Sequence, residues 1–396
     1  MNIAILGAGL LGRLLAYRLA QQGYHIDLYE RDGPSAEQSA AYIAASMLAP
    51  LAESATAARC ITELGLASLK IWPQWLAQLD TFVSSLPVSA KESAPIFFQQ
   101  QGTLVLWHRH DEEEAQRFYQ RLDMPLAIRH HCAPQKLHAV ELAALEPSLA
   151  SRFAQGIYLP GEGQLDNRAL LDRLLVYIEQ KNVRLHWQCH VEVDAIKADR
   201  VIDCRGLGAQ TKWNAAHFFS PNALRGVRGE VIRLYAPEVR LKRPIRLLHP
   251  RYPLYIAPKP DHIYVIGATE IESEDLSEIS VRSTLELLSA AYTVHPGFGE
   301  ARILEMRSQC RPTLANHLPQ IRWDGQRCIA INGLYRHGYL IAPAVVEAAI
   351  SLLSYIDGGE CADHAVWQAQ QPWPTLFALA PISQSSDSFF TAAHHD

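Results

Sequence analysis

No two of the seven cysteines, Cys60, Cys132, Cys189, Cys204, Cys310, Cys328 and Cys361, stand in Cys-x-x-Cys spacing. That excludes a zinc ribbon and a thioredoxin-like redox motif. An odd, scattered set in a chain of 396 residues reads as reduced, largely buried thiols, consistent with a cytoplasmic setting. An uncharged apolar run of about 18 residues is also lacking, so no membrane span is expected. The apolar N-terminus has no basic leader and no small-residue cleavage site, and Arg13 and Arg18 interrupt it. Charge of one sign is scarce. Lysine and arginine number 36 against 41 acids, for a formal net charge of -5, and the two signs are interspersed. That balance gives no reason to expect nucleic acid or an anionic membrane as partner. There is no internal repeat, and the terminal His394-His395 pair is too short to argue for a metal; none is expected.

Apolar residues are plentiful, at 48%, and the length suits two or three structural domains. The most informative stretch is the opening one. Ile3 to Leu6 is a short β-branched run suited to a central parallel strand. Gly7, Gly9 and Gly12 follow as G-x-G-x-x-G. In a dinucleotide-binding unit the first permits a tight turn, the second lets backbone approach a pyrophosphate, and the third lets helix and strand pack closely. Leu11, Leu15 and Leu19 put an apolar stripe on the helix that comes next, whose N-terminus would face the phosphates. Gly23 ends that helix, Ile26 to Tyr29 reads as a second strand, and Glu30 closes it, placed to accept hydrogen bonds from ribose hydroxyls. Strand, glycines, helix, strand and terminal acid occur in the order the motif demands. An acid at position 30 disfavours a 2′-phosphate, which leaves FAD or NAD.

The segment Ser39-Ala-Ala-Tyr-Ile-Ala-Ala-Ser-Met-Leu-Ala-Pro50 favours FAD, because its small residues let backbone lie close to a bulky ligand. It resembles the S-x-x-A-A-G-M-L-A-P loop of glycine oxidases, with Ser46 where that family has glycine. Further markers follow in the family's order: Leu145-Glu146-Pro147, Gly163-Gln-Leu-Asp166-Asn-Arg168, Val201-Ile-Asp-Cys-Arg-Gly-Leu-Gly-Ala209, Leu224-Arg-Gly-Val-Arg-Gly-Glu230, Ile266-Gly-Ala-Thr-Glu270, Arg311-Pro312 and Gly333-Leu-Tyr-Arg-His-Gly338. Together these resemble the glycine oxidase (ThiO-like) branch of the FAD-dependent D-amino-acid oxidase family, over most of the chain.

The resemblance implies an α/β fold in which a Rossmann-like FAD-binding domain is joined to an α+β substrate domain with a mostly antiparallel sheet. The first would collect 1–85, 150–225 and 325–360, and the second 86–149 and 226–324. Residues 361–396, with several prolines and a serine-rich stretch, read as an irregular extension. The implied cofactor-binding set is Gly7, Gly9, Leu10, Leu11, Gly12, Glu30, Arg31, Ala44, Ala45, Ser46, Met47, Val191, Cys204, Gly206, Gly208, Arg336, His337, Gly338 and Tyr339. Val191, read at the end of a strand from Arg184, would meet the adenine through its backbone.

For the chemistry, the resemblance implies oxidative deamination of a small amino acid such as glycine or sarcosine. Flavin N5 takes the hydride, O2 is the acceptor, and H2O2 and an imine or 2-oxo acid are the products, in service of thiamine thiazole synthesis. Arg311 matches the arginine that binds the substrate carboxylate, a task for which a planar guanidinium suits better than an ammonium. Arg336 matches the arginine of the family's Y-R-N-G, although Leu334 and His337 replace its usual histidine and asparagine. Tyr255 matches a tyrosine that hydrogen-bonds the carboxylate. Glu270 departs from the family's apolar residue, and a carboxylate facing the pocket there needs a cationic partner: either Arg336 or a second amine on a larger substrate. Nothing around Cys310 matches a covalent flavin site, so FAD is expected to be held non-covalently. A dehydrogenase of the same fold with a quinone or protein acceptor, a non-catalytic flavoprotein partner and a simple NAD dehydrogenase remain alternatives. The oligomeric state, a homo-oligomer included, stays open.

Overall fold

The computed structural model describes residues 1–87, 95–150, 152–215, 223–248, 254–358 and 364–379. The strand Asn2–Leu6 is buried from Ile3 onward and pairs in parallel with both His25–Tyr29 and Arg200–Asp203. Val183–His186 and Cys328–Asn332 extend this parallel core on either side. Gln320–Trp323 then adds antiparallel, and Phe377–Leu379 closes the seven-stranded sheet. The helices Leu10–Gln21, Asn167–Glu179, Arg59–Ser84 and Gly338–Asp357 pack in one cluster with this sheet. Ile3, Leu14, Leu15, Leu19, Leu170 and Val345 are fully buried there, each contributing about 1.5–3 kcal/mol of apolar burial. The segment Tyr335–Asp357 is long and apolar enough to cross a membrane by length and composition, but most of it is buried among these neighbours.

A second sheet of eight strands runs in the order Arg302–Leu314, Leu224–Tyr235, Ile263–Gly267, Leu254–Pro258, Ile245–Leu247, Thr103–Leu106, Gln155–Leu159 and Gln135–His138. Every pairing is antiparallel except that between Ile245–Leu247 and Thr103–Leu106. The helix Val281–Val294 packs against this sheet, and Ser280 caps it by accepting from the Ser283 N–H at 3.1 Å. A three-stranded ribbon, Met47–Leu48, Gly163–Leu165 and Phe98–Gln99, completes the described sheets.

Three expectations about the chain's division change. Gln155–Leu159 belongs to the antiparallel sheet, since Thr103 to Leu106 pair with Leu159 to Gly156. Gln320–Trp323 belongs to the largely parallel one, where it pairs antiparallel with Cys328–Asn332, Ile321 opposite Ile331 and Trp323 opposite Ile329. Within 361–396 the described residues are not irregular. Trp367, on the helix His364–Ala369, stacks on Tyr355 at 4.8 Å and meets Phe377 edge-on at 5.0 Å, and these aromatic contacts seat the strand Phe377–Leu379 at the sheet edge. Residues 380–396, Cys361 and His394-His395 lie outside the described residues.

Candidate active site

The C-terminal ends of the adjacent strands Asn2–Leu6, His25–Tyr29, Arg200–Asp203 and Cys328–Asn332 open on one cavity of about 470 Å³, lined there by Gly7, Glu30, Cys204 and Asn332. Ligands of open parallel sheets bind in this crevice. Two helices begin at it. Leu10–Gln21 and Gly338–Asp357 each start with no side-chain cap bond and no acid in the first turn. The uncapped N–H groups and dipole end of Leu10–Gln21 therefore favour an anion at its start, while Gly338–Asp357 continues from the 3-10 turn Tyr335–His337.

The glycines of the first turn divide by what they face. Gly7 has φ +97°, and a Cβ there would lie 2.9 Å from the Arg205 Cα. A Cβ on Gly12 would lie 1.8 Å from the Gly7 carbonyl oxygen, so helix and strand could not pack. Gly9 is different: a Cβ there meets nothing nearer than the Ser39 Cβ at 3.9 Å, and Gly9 lines the cavity. Protein packing does not explain this glycine, whereas a pyrophosphate lying against its backbone does. Glu30 accepts from the Ala8 N–H at 2.6 Å and the Asp32 N–H at 3.1 Å, which fixes the carboxylate and leaves lone pairs for ribose hydroxyls. These residues fit FAD.

The loop after Ser39 is built to lie flat along the cavity. Ser39 caps the short helix Ala40–Ile43, and the chain then extends through Ala44 and Ala45. Ser46 has φ +52°, in the left-handed region where glycine is the easier residue; its hydroxyl offsets that by donating to the Leu165 carbonyl at 2.5 Å. Behind the loop the buried Lys259 ammonium donates to the carbonyls of Ala45 at 2.9 Å and Leu165 at 2.7 Å, and burial pushes its pKa down to about 7.

Of the residues expected to hold the cofactor, Gly7, Gly9, Leu10, Leu11, Glu30, Arg31, Ala44, Ala45, Ser46, Met47, Cys204, Gly206, Gly208, Arg336, His337, Gly338 and Tyr339 all line the cavity. Gly12 and Val191 do not. Gly12 works from behind, in the packing described above. Val191 lies beyond the strand, which ends at His186, and its carbonyl is taken by Arg205 at 2.9 Å. The Arg205 guanidinium, paired with Asp203 at 2.8 Å and Glu192 at 3.2 Å, lines this end of the cavity; it lies within the Val201 to Ala209 marker but was not among the expected site residues.

At the other end the cavity reaches the antiparallel sheet, where Tyr255, Glu270, Arg311 and Arg336 come together. Arg311, on the strand Arg302–Leu314, donates to the carbonyls of Thr269 at 3.1 Å and Arg228 at 3.4 Å; among the described residues no carboxylate pairs with it. The Tyr255 ring lies over Gly267, and burial raises its hydroxyl pKa while Arg311 opposes. Arg336 is engaged on both sides, by Glu53 at 2.9 Å and Glu270 at 3.1 Å, and it also donates to the Thr56 hydroxyl at 2.8 Å. Glu270 is not buried; its side chain is 41% exposed at the mouth, so the cost of burial does not arise and Arg336 is the partner it has.

Glu53 and Arg246 were not foreseen. The Glu53 carboxylate, 16% exposed, meets Arg246 at 3.1 Å, Arg336 at 2.9 Å and His337 Nδ1 at 3.4 Å. Burial works against its ionisation, but Arg336, His337 and Arg246 outweigh it and hold its pKa at about 2. His337 is driven the other way, by burial, to about 4 and is neutral near pH 7.

A dinucleotide cradle at parallel strand ends, opening into a chamber walled by an antiparallel sheet and carrying a guanidinium with no carboxylate partner among the described residues, defines a cofactor-dependent oxidoreductase. The comparisons with known proteins name the family. The profile of DAO, FAD dependent oxidoreductase, matches residues 2–352. The chain belongs to this family of FAD-dependent oxidoreductases. It is 37% identical over 355 residues to a Rhizobium etli protein named thiamine biosynthesis oxidoreductase ThiO, covering 89% of this chain and 97% of that one. It is 25% identical over 359 residues to a glycine oxidase of Geobacillus kaustophilus, covering 86% and 90%. The solved structure of glycine oxidase from Geobacillus kaustophilus superposes with a TM-score of 0.76 at 23% identity, over 92% of this chain and 97% of that one.

Proposed function

We propose that this enzyme oxidises the amine of a small amino acid of the glycine or sarcosine type, with O2 as acceptor, in the supply of a thiamine thiazole precursor. The observation that carries the reading is Arg311: a guanidinium facing the cavity with no carboxylate partner among the described residues, in the same chamber as Tyr255. A substrate carboxylate supplies the missing charge and can accept two parallel N–H donors. The relatives named ThiO and glycine oxidase support the same reading.

FAD, which the turn of Gly7 and Gly9, Glu30 and the Ala44 to Met47 loop would hold, would supply a two-electron acceptor for the α-carbon hydride, with O2 reduced to H2O2 and the imine hydrolysed by water. The protein's share is position. Arg311 and Tyr255 hold the carboxylate, which fixes the α-carbon in an oriented encounter instead of a collision. Arg336, clamped between Glu53 and Glu270, keeps the chamber's shape. The parallel layer serves as the cofactor domain and the antiparallel layer as the substrate domain.

The test is an aerobic panel of amino acids and amines assayed for H2O2, run beside an artificial acceptor under anaerobic conditions. Glycine, sarcosine or a close analogue should give H2O2. Turnover with the artificial acceptor alone would replace O2 in this reading, and no turnover of any amine by FAD-loaded protein would overturn it.

A further inference from the structure

Among the described residues, the charged groups lining the chamber end of the cavity are Arg246, Arg311, Arg336, Glu53 and Glu270. Three guanidinium groups thus face two carboxylates. Glu53 is shared between Arg246 and Arg336, at 3.1 and 2.9 Å, and Glu270 reaches Arg336 at 3.1 Å. Arg311 bonds only carbonyl oxygens. One positive charge is left over, and it sits on Arg311.

That remainder matches one kind of substrate. An amino acid with a neutral amine and a single carboxylate carries one negative charge. A second carboxylate would find the charges of Arg246 and Arg336 already offset and would meet Glu53 and Glu270 as like charges, the repulsion being stronger at the largely buried Glu53 than at the more exposed Glu270. We propose that Glu53, helped by Glu270 at the mouth, sets the chamber's net charge and so restricts the enzyme to monocarboxylic substrates, turning away dicarboxylic ones. Glu53 acts here as a specificity-determining residue through Arg246 and Arg336, without touching the reacting atoms. The inference rests on the amino-acid reading above and narrows it.

The holoenzyme and its Glu53→Gln and Glu270→Gln variants test it by two readouts. One is the ratio of kcat/KM for iminodiacetate to that for glycine. The other, independent of turnover, is the affinity for malonate relative to acetate, read from the perturbation each ligand causes in the bound flavin's absorbance. Each substitution removes one negative charge, so both ratios should rise, by about tenfold or more in Glu53→Gln and less in the better-solvated Glu270→Gln. A lost structural support would lower both substrates together and leave the ratios in place. Ratios unchanged within about twofold in an FAD-loaded Glu53→Gln overturn the proposal. If Glu53→Gln does not retain FAD, Glu270→Gln decides, and unchanged ratios there overturn it equally. If the wild type oxidises no amine, the amino-acid reading falls, and the malonate and acetate affinities still decide the charge proposal.

Discussion

Arg311 lies against Gly229: a Cβ on Gly229 would sit 2.3 Å from the Arg311 Nη2. The two residues are diagonal neighbours across the long antiparallel pair Leu224–Tyr235 and Arg302–Leu314, in which Val227 stands opposite Arg311 and Gly229 opposite Gln309. Gly229→Ala should push the guanidinium off its seat on the Thr269 carbonyl. We expect kcat/KM for the best substrate to fall about tenfold or more with FAD content unchanged. Unaltered kinetics in Gly229→Ala would show that the guanidinium position does not matter.

Arg311→Lys keeps the charge and discards the planar fork. Catalytic efficiency should fall by about tenfold or more, mostly through substrate binding, while the protein stays loaded with FAD. Wild-type rates in Arg311→Ala would remove Arg311 from the role of carboxylate anchor.

The cradle glycines should separate by measurement. Gly9→Val projects into the cavity, its Cβ meeting only Ser39 at an ordinary contact distance, so it should yield folded but colourless apoprotein. Gly12→Ala collides with the Gly7 backbone, and should lower the melting temperature of the apoprotein itself. Equal FAD content in Gly9→Val and wild type would contradict the placement of the pyrophosphate.

How much of this was legible beforehand follows from how local each signal is. The first turn, Glu30 and the Ala44 to Met47 loop are contiguous patterns whose residue types are set by nearby backbone, and their positions in the cavity agree with their reading. Arg311 and Arg336 carried recognisable neighbours. Glu53 and Arg246 carried none: they are far apart in sequence, and only tertiary packing brings one carboxylate between two guanidinium groups. The strand read from Arg184 to Val191 ends at His186, and Gln188, at φ +53°, turns the chain away before Val191. The strand Phe377–Leu379 escaped notice because prolines around it read as irregular, and its seat depends on Trp367 and Tyr355.

Acid should expose the buried imidazole. The folded pKa of His337, about 4, lies below the ordinary value of 6.5, so the unfolded chain takes up the proton first as pH falls. Stability from this group is therefore fully present above pH 6.5 and is lost as pH falls toward 4, by on the order of 3 kcal/mol. Glu53 adds a loss at lower pH, from the ordinary 4.5 down to about 2. Melting temperatures of the wild type and His337→Asn, recorded from neutral to acid pH, should diverge in the upper window, with the wild type falling faster. Parallel curves would mean that the fold does not lower the His337 pKa.

Hydride transfer to bound FAD from a small monocarboxylic amino acid held by Arg311, as proposed above, leaves its signature in the flavin itself. The most direct measurement is the flavin absorbance of the purified protein on anaerobic addition of glycine or sarcosine, with Arg311→Ala alongside. The account predicts that the oxidised flavin band bleaches in the wild type and persists in the variant. A wild-type protein that holds FAD, yet whose band is untouched by every amino acid tried, would contradict it.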